Sequence, residues 1–188
     1  VDAVIAEGFE AGGHNGREET TTLALIPAVA QAIDLPLVAA GGIASGRSIL
    51  AAQSLGAEGV QIGTLFALSE ESSAHAAFKE ACVKSDEGDT ILTLKELAPT
   101  RLLKNEFYQQ VATLQARGAS ADELRELLGR ARAKRGIFEG DLDEGELEIG
   151  QVAAQIEEVQ PVAQIFDQLI AEYNAARAEL IDMNWTNC

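Results

Sequence analysis

Three short apolar runs near the start of the chain each lead into glycine. They are "VDAVIAE" (Val1 to Glu7), "LPLVAA" (Leu35 to Ala40) and "GVQIGT" (Gly59 to Thr64). Each is strand-length, rich in Val and Ile, and apolar at nearly every position. Strands buried on both faces of a parallel sheet read this way. Between them, Ile26, Val29, Ala30 and Ile33 recur at helical spacing, with Pro27 tolerable in a first turn. A second helix is predicted over Ile49 to Leu55, after Ser45 as N-cap and before Gly56 as terminator. The order β-loop-α-β-loop-α-β predicts right-handed crossovers, with function at the C-terminal ends of the strands.

Beyond Leu68 the pattern changes. Ser72 to Ser85 reads as a helix, "DEGDT" as a turn and "TLKELAPTRLLKN" as irregular around Pro99. Glu106 to Gln115 and Ala121 to Ala133 read as helices, and "FEGDLDEGELEIGQ" as an acidic, Gly-rich loop. A final amphipathic helix is predicted over Val162 to Leu180, with Val162, Ile165, Phe166, Leu169 and Ile170 on one stripe.

Composition narrows the function classes. With 14 Lys and Arg against 30 Asp and Glu, the net charge is −16, a field that repels nucleic acid and anionic lipid. "GRARAKRG" carries the one basic cluster, Arg130, Arg132, Lys134 and Arg135, expected to be a solvated helix face. No apolar run is long enough for a membrane span and no signal peptide is visible, so a cytoplasmic protein is expected. Cys82 and Cys188 are too few and too far apart for a disulfide or metal framework.

The dinucleotide fingerprint G-x-G-x-x-G fails around His14, where its first position is Ala11, and around Gly42, where its middle position is Ile43. A calcium loop starting at Asp141 fails because Gly145 occupies its fifth position. No metal site is expected. What survives is a pair of loops in succession, Gly41–Gly42 and Gly63–Thr64. Glycine lets backbone N–H groups approach phosphate oxygens, and Thr64 adds a hydroxyl. In a (β/α)₈ barrel the loops after strands seven and eight commonly bind phosphate.

"EGFEAGGHNG", "VAAGGIASG" and "VQIGTLF", in that order, resemble the second half of the FMN-dependent nitronate monooxygenase and enoyl-ACP reductase family, the latter of the FabK type. The resemblance continues through "SSAHAAFK", "TRLLKN" and "EGDLDEGELEIGQ". It implies an α/β fold: the C-terminal part of a flavin-binding TIM barrel followed by a mostly helical tail. Residues 1–68 would be the last three β/α units and 69–188 the helical extension. Three strands against the eight of a barrel lead to the expectation that the chain is a fragment.

The resemblance further implies that Gly41, Gly42, Gly63 and Thr64 hold the FMN phosphate. Gly12 and Gly13 would run close to the flavin, their bare backbone admitting a flat ring, and His14 would be catalytic. Many relatives carry Arg after the Gly-Thr pair, where this chain has Leu65. His75 is expected to be solvated on a surface helix. The implied activity is FMN-dependent reduction of trans-2-enoyl thioesters by NAD(P)H, which "TRLLKN" and "EGDLDEGELEIGQ" favour. The alternatives are oxygen-dependent oxidation of nitronates, or a non-catalytic phosphate-binding half-barrel. The implied partners are a small-molecule or acyl-carrier-protein-linked substrate and a second copy in a homodimer.

Overall fold

Strand β1 (Val4–Glu7) opens the fold, followed by a two-residue strand β2 (Gly13–His14), helix α1 (Thr22–Ala32), β3 (Leu37–Ala40), α2 (Gly46–Ser54), β4 (Gly59–Gln61) and the single turn α3 (Thr64–Ala67). The structure, a computed structural model, describes residues 1–182; Cys188 lies outside the described residues. β1, β3 and β4 form a parallel sheet in the order β1-β3-β4. The register sets Glu7 opposite Ala40 and Ala40 opposite Gln61, so all three strands end at one level. The loops after them therefore emerge together at one edge.

Within this sheet only β3 is buried as a strand covered on both faces should be. Of these three strands it alone has a neighbour on each side. β1 and β4 are edges, and Ile5 of β1 is 56% exposed. β1 begins at Val4 rather than Val1, and α1 begins at Thr22, which puts Pro27 inside the helix rather than in its first turn. Ser45 caps α2 as expected, its side chain accepting from the Ser48 N–H while the Ser48 hydroxyl accepts from the Ser45 N–H.

The remaining elements are α4 (Ala76–Val83), β5 (Thr90–Thr93), β6 (Thr100–Leu103), α5 (Glu106–Ala116), α6 (Ala121–Leu128), α7 (Arg132–Glu139), a 3₁₀ turn (Gln151–Gln155) and α8 (Val162–Asp182). "TLKELAPTRLLKN" is not irregular throughout. Its ends belong to β5 and β6, which form an antiparallel hairpin, Thr90 opposite Leu103 and Thr93 opposite Thr100. β2 joins the other edge of β6, with Gly13 opposite Arg101 and His14 opposite Thr100. The first loop and the tail thus share one sheet.

The helix read over Ala121 to Ala133 is two helices. Gly129 and Ala131 take positive φ between them. The Arg132 guanidinium then donates to the carbonyls of Leu127 and Leu128 at 2.7 and 2.8 Å, capping the end of α6. α8 packs on α2, and its expected stripe splits. Ile165 and Leu169 are buried, whereas Phe166 and Ile170 are about half exposed. Gly46 permits the close crossing, because a Cβ there would lie 2.1 Å from the Tyr173 nitrogen.

Candidate functional site

The level strand ends create a cleft of about 220 Å³. Gly12 and Gly13 line it from the loop after β1, Gly41 and Gly42 from the loop after β3, and Gly63 and Thr64 from the end of β4. Each of these six positions was a candidate in the sequence, and the fold brings all six to one place. The fourth wall is the acidic loop, through Glu148, Ile149 and Gly150. That wall is stitched to both sides. The Gly150 N–H donates to Thr64 Oγ1 at 3.1 Å, and the Gln151 N–H to the Glu10 carbonyl at 3.0 Å.

The glycines differ in what they make room for. A Cβ on Gly12 would lie 2.4 Å from the Ile149 carbonyl carbon. The bareness at Gly12 is therefore demanded by the protein's own backbone on the side where a Cβ would stand. Gly41 and Gly42 turn with φ of 87° and 70°, a conformation that favours glycine. Gly63 meets nothing within 4 Å of where a Cβ would stand. Its backbone is open to the cleft, and this is the observation on which the fit of a phosphate rests.

His14 is exposed on β2 and does not line the cleft. The protonable groups that do are Glu7, Glu10 and Glu148. Burial raises the Glu7 and Glu148 carboxyls above the ordinary range, with the His14 charge opposing the rise at Glu148. Glu10 is tied to Thr22, accepting from its backbone N–H at 3.0 Å and its hydroxyl at 2.8 Å. Behind the wall Glu146 is buried and pushed up to about 7, chiefly by desolvation and further by Glu148, against a lowering from Arg132.

One positioning residue, inside "TRLLKN", was no site candidate in the sequence. Arg101 on β6 is 2% exposed, and its guanidinium lies 4.5 Å from the centre of the Phe9 ring. It donates to the Phe9 carbonyl from Nε at 3.3 Å and from Nη2 at 2.9 Å. This pins the loop that carries Gly12 to His14. The signal available was an arginine inside the apolar stretch "TRLL", which suits a buried cation with a fixed partner.

Other candidates take structural places. His75 is exposed as expected but also caps α4, its Nδ1 accepting from the Ala77 N–H at 3.2 Å. The basic cluster is not a solvated face throughout. Arg132 is mostly buried, with its guanidinium 4.4 Å over Phe107 and paired to Glu144, while Lys134 pairs with Glu139 and Arg135 with Asp141. Among the described residues no cluster of His, Cys, Asp and Glu could hold a metal, and no helix is long and apolar enough to cross a membrane.

Residues 1–172 match the family model described as Nitronate monooxygenase. A probable nitronate monooxygenase of Staphylococcus haemolyticus is 44% identical over 119 residues, covering 58% of this chain and 33% of that protein. FabK from Thermotoga maritima superposes with a TM-score of 0.89 at 39% identity, covering 96% of this chain and 57% of that one. Nitroalkane oxidase from Streptomyces ansochromogenes gives 0.76 at 34% identity, covering 96% and 54%. The chain thus spans about a third of the curated relative and little more than half of the solved ones. Its fold is the C-terminal part of a flavin-binding TIM barrel with a mostly helical tail.

Proposed function

The chain belongs to the nitronate monooxygenase family, and from that premise we propose that the full-length protein is an FMN-dependent oxidoreductase whose phosphate and flavin loops are the six residues gathered at the cleft. The carrying observation is that gathering: Gly12, Gly13, Gly41, Gly42, Gly63 and Thr64 reach one cavity from three separate loops. The N–H groups of Gly41, Gly42 and Gly63 would receive the phosphate, with Thr64 free to donate its hydroxyl hydrogen while accepting from Gly150. Gly12 and Gly13 would lie beside the ring. Leu65 supplies no cation, so backbone dipoles carry the anion.

When bound, FMN would supply hydride transfer between NAD(P)H and an unsaturated acyl thioester. His14 would deliver the proton that the α-carbon needs once the β-carbon has received hydride, or would orient the thioester carbonyl. Its exposure on β2, beside rather than inside the cleft, suits a group that meets substrate from the open side. Supporting the reductase reading is the likeness to FabK, whose TM-score of 0.89 and identity of 39% exceed the 0.76 and 34% of nitroalkane oxidase. A second reading, oxidation of nitronates with oxygen, is favoured by the names of the curated relatives. There His14 would take the proton from the carbon acid. The substrate would be a small molecule or an acyl group on an acidic carrier protein. Three of the four cations in "GRARAKRG" are already paired within the chain, which weakens that segment as a carrier-docking patch.

The test uses the full-length protein, purified yellow if it holds flavin. With oxygen excluded, it should oxidise NAD(P)H when given a trans-2-enoyl thioester. His14→Ala should keep its FMN yet lose turnover by about 10²–10⁴-fold. Turnover only of a nitronate, and only with oxygen, would replace the first reading by the second. Full activity of His14→Ala on both substrates would remove His14 from the chemistry.

A further inference from the structure

Glu148 lines the cleft beside Gly13. Gly13 faces the cavity with φ of 73°, and a Cβ there would lie 2.9 Å from Glu148 Oε2. The carboxyl thus occupies the space beside Gly13 that any side chain at 13 would claim. Its backbone is held by an antiparallel bridge to Leu102, next along β6 from the Arg101 that faces Gly13. One strand therefore sets both the Gly12–Gly13 loop and the carboxyl behind it.

None of the ion pairs among the described residues uses Glu148. The charged groups around it are unevenly set. His14 lies alongside on β2 and lowers the Glu148 pKa. Glu146 lies two residues away, and repulsion from Glu148 raises its carboxyl. Glu7 and Glu10 share the cavity. Arg101 is turned to the Phe9 carbonyl, and Arg132 pairs with Glu144. Glu148 thus forms no ion pair among the described residues, while the His14 charge favours its ionised form.

We propose that Glu148 is a ligand-contacting residue of this cleft, donating a hydrogen bond from its carboxyl group to a carbonyl or imine acceptor at the edge of the flat ring held against Gly12 and Gly13. This rests on the reading of the cleft as an FMN site. A carboxyl that donates must carry its proton. Burial, which raises Glu148, favours that form against the opposing charge of His14. Ring binding then takes up one proton wherever free Glu148 is ionised. In the amide variant Glu148→Gln the donor is permanent and no proton is needed.

The experiment is titration of the full-length apoprotein with FMN, following quenching of flavin fluorescence across neutral and alkaline pH. For the native protein the Kd should rise by about tenfold per pH unit once free Glu148 ionises. Glu148→Gln should bind with a Kd flat over that range and tighter than native at the alkaline end. Glu148→Asp, which keeps a titrating group, should retain the slope. Should Glu148→Gln fail to fold, as judged by circular dichroism, a native slope absent from Glu148→Leu but kept in Glu148→Asp would still support the assignment. The same slope in native protein and Glu148→Gln would overturn it while leaving the FMN site intact. No FMN binding by native protein at any pH would overturn the site and the assignment together.

Discussion

The two ends of the molecule fill their interiors differently. The core of the parallel layer is aliphatic: Ala6, Ile26, Leu37, Ala39, Ile43, Ala52 and Ala57 pack together. Every buried polar or charged side chain among the described residues belongs to the part after Leu68, including Lys79, Arg101 and Glu146. The layer satisfies its backbone through parallel pairing and helices, so its side chains are free to be apolar. The tail has short strands and long irregular stretches whose carbonyls need donors from elsewhere. Buried cations supply them. The difference teaches that the cleft has one wall shaped by glycine in a sheet and another held by buried charge.

Arg101 should show the largest effect of that difference. Arg101→Ala removes the ring contact with Phe9, two donors to its carbonyl, and a large buried side chain. A loss of about 3–5 kcal/mol is expected in urea unfolding. A loss below about 1 kcal/mol would show that the loop stands without it.

Lys79 comes next. Its ammonium donates to the carbonyls of Ser69, Glu70 and Ser72 at 2.6, 3.2 and 2.9 Å. Lys79→Met keeps most of the stem but leaves those carbonyls short of donors, at about 2–3 kcal/mol. If the methionine variant melts with the native protein, buried charge is not what holds this turn.

Glu146 turns the comparison into a pH dependence. Its folded carboxyl keeps its proton up to about pH 7, against 4.5 for an ordinary glutamate. Between those values the folded state binds more protons than the unfolded one, so stability falls as pH rises through the window. Glu146→Gln should abolish this fall. The variant should match the native protein at the acid end and exceed it by up to about 3 kcal/mol above neutrality. Parallel pH profiles for both proteins would refute the assignment.

The smallest change in stability is expected on the glycine side. Gly63→Ala enters open space at an ordinary φ of −92°. Stability should move by no more than about 0.5 kcal/mol, while FMN affinity falls by about tenfold or more. Unchanged affinity would make Gly63 a turn residue only. A large loss of stability would mean that folding depends on the glycine wall no less than on the charged one.

By itself the sequence determined the parallel layer, the loops that end it, and the last helix. Each is written locally, in apolar runs closed by glycine, in the Ser45 cap, and in the helical spacing over Val162 to Leu180. Glu7, Ala40 and Gln61 fall level in the sheet; Gly41, Gly42, Gly63 and Thr64 can be named from the apolar runs they close, and Gly12 and Gly13 from the family resemblance. Tertiary structure decided the opposite wall. Pairing of His14 with Thr100, and the approach of Glu148 to Gly13, join residues far apart in the chain, and two-residue contacts leave no periodicity to read. The break between α6 and α7 depends on an arginine that caps the helix before it, and a composition rich in Arg, Ala and Leu reads as continuous helix until that partner is known. Local pattern determines which segments order, and only burial in the folded chain decides which charges become structural.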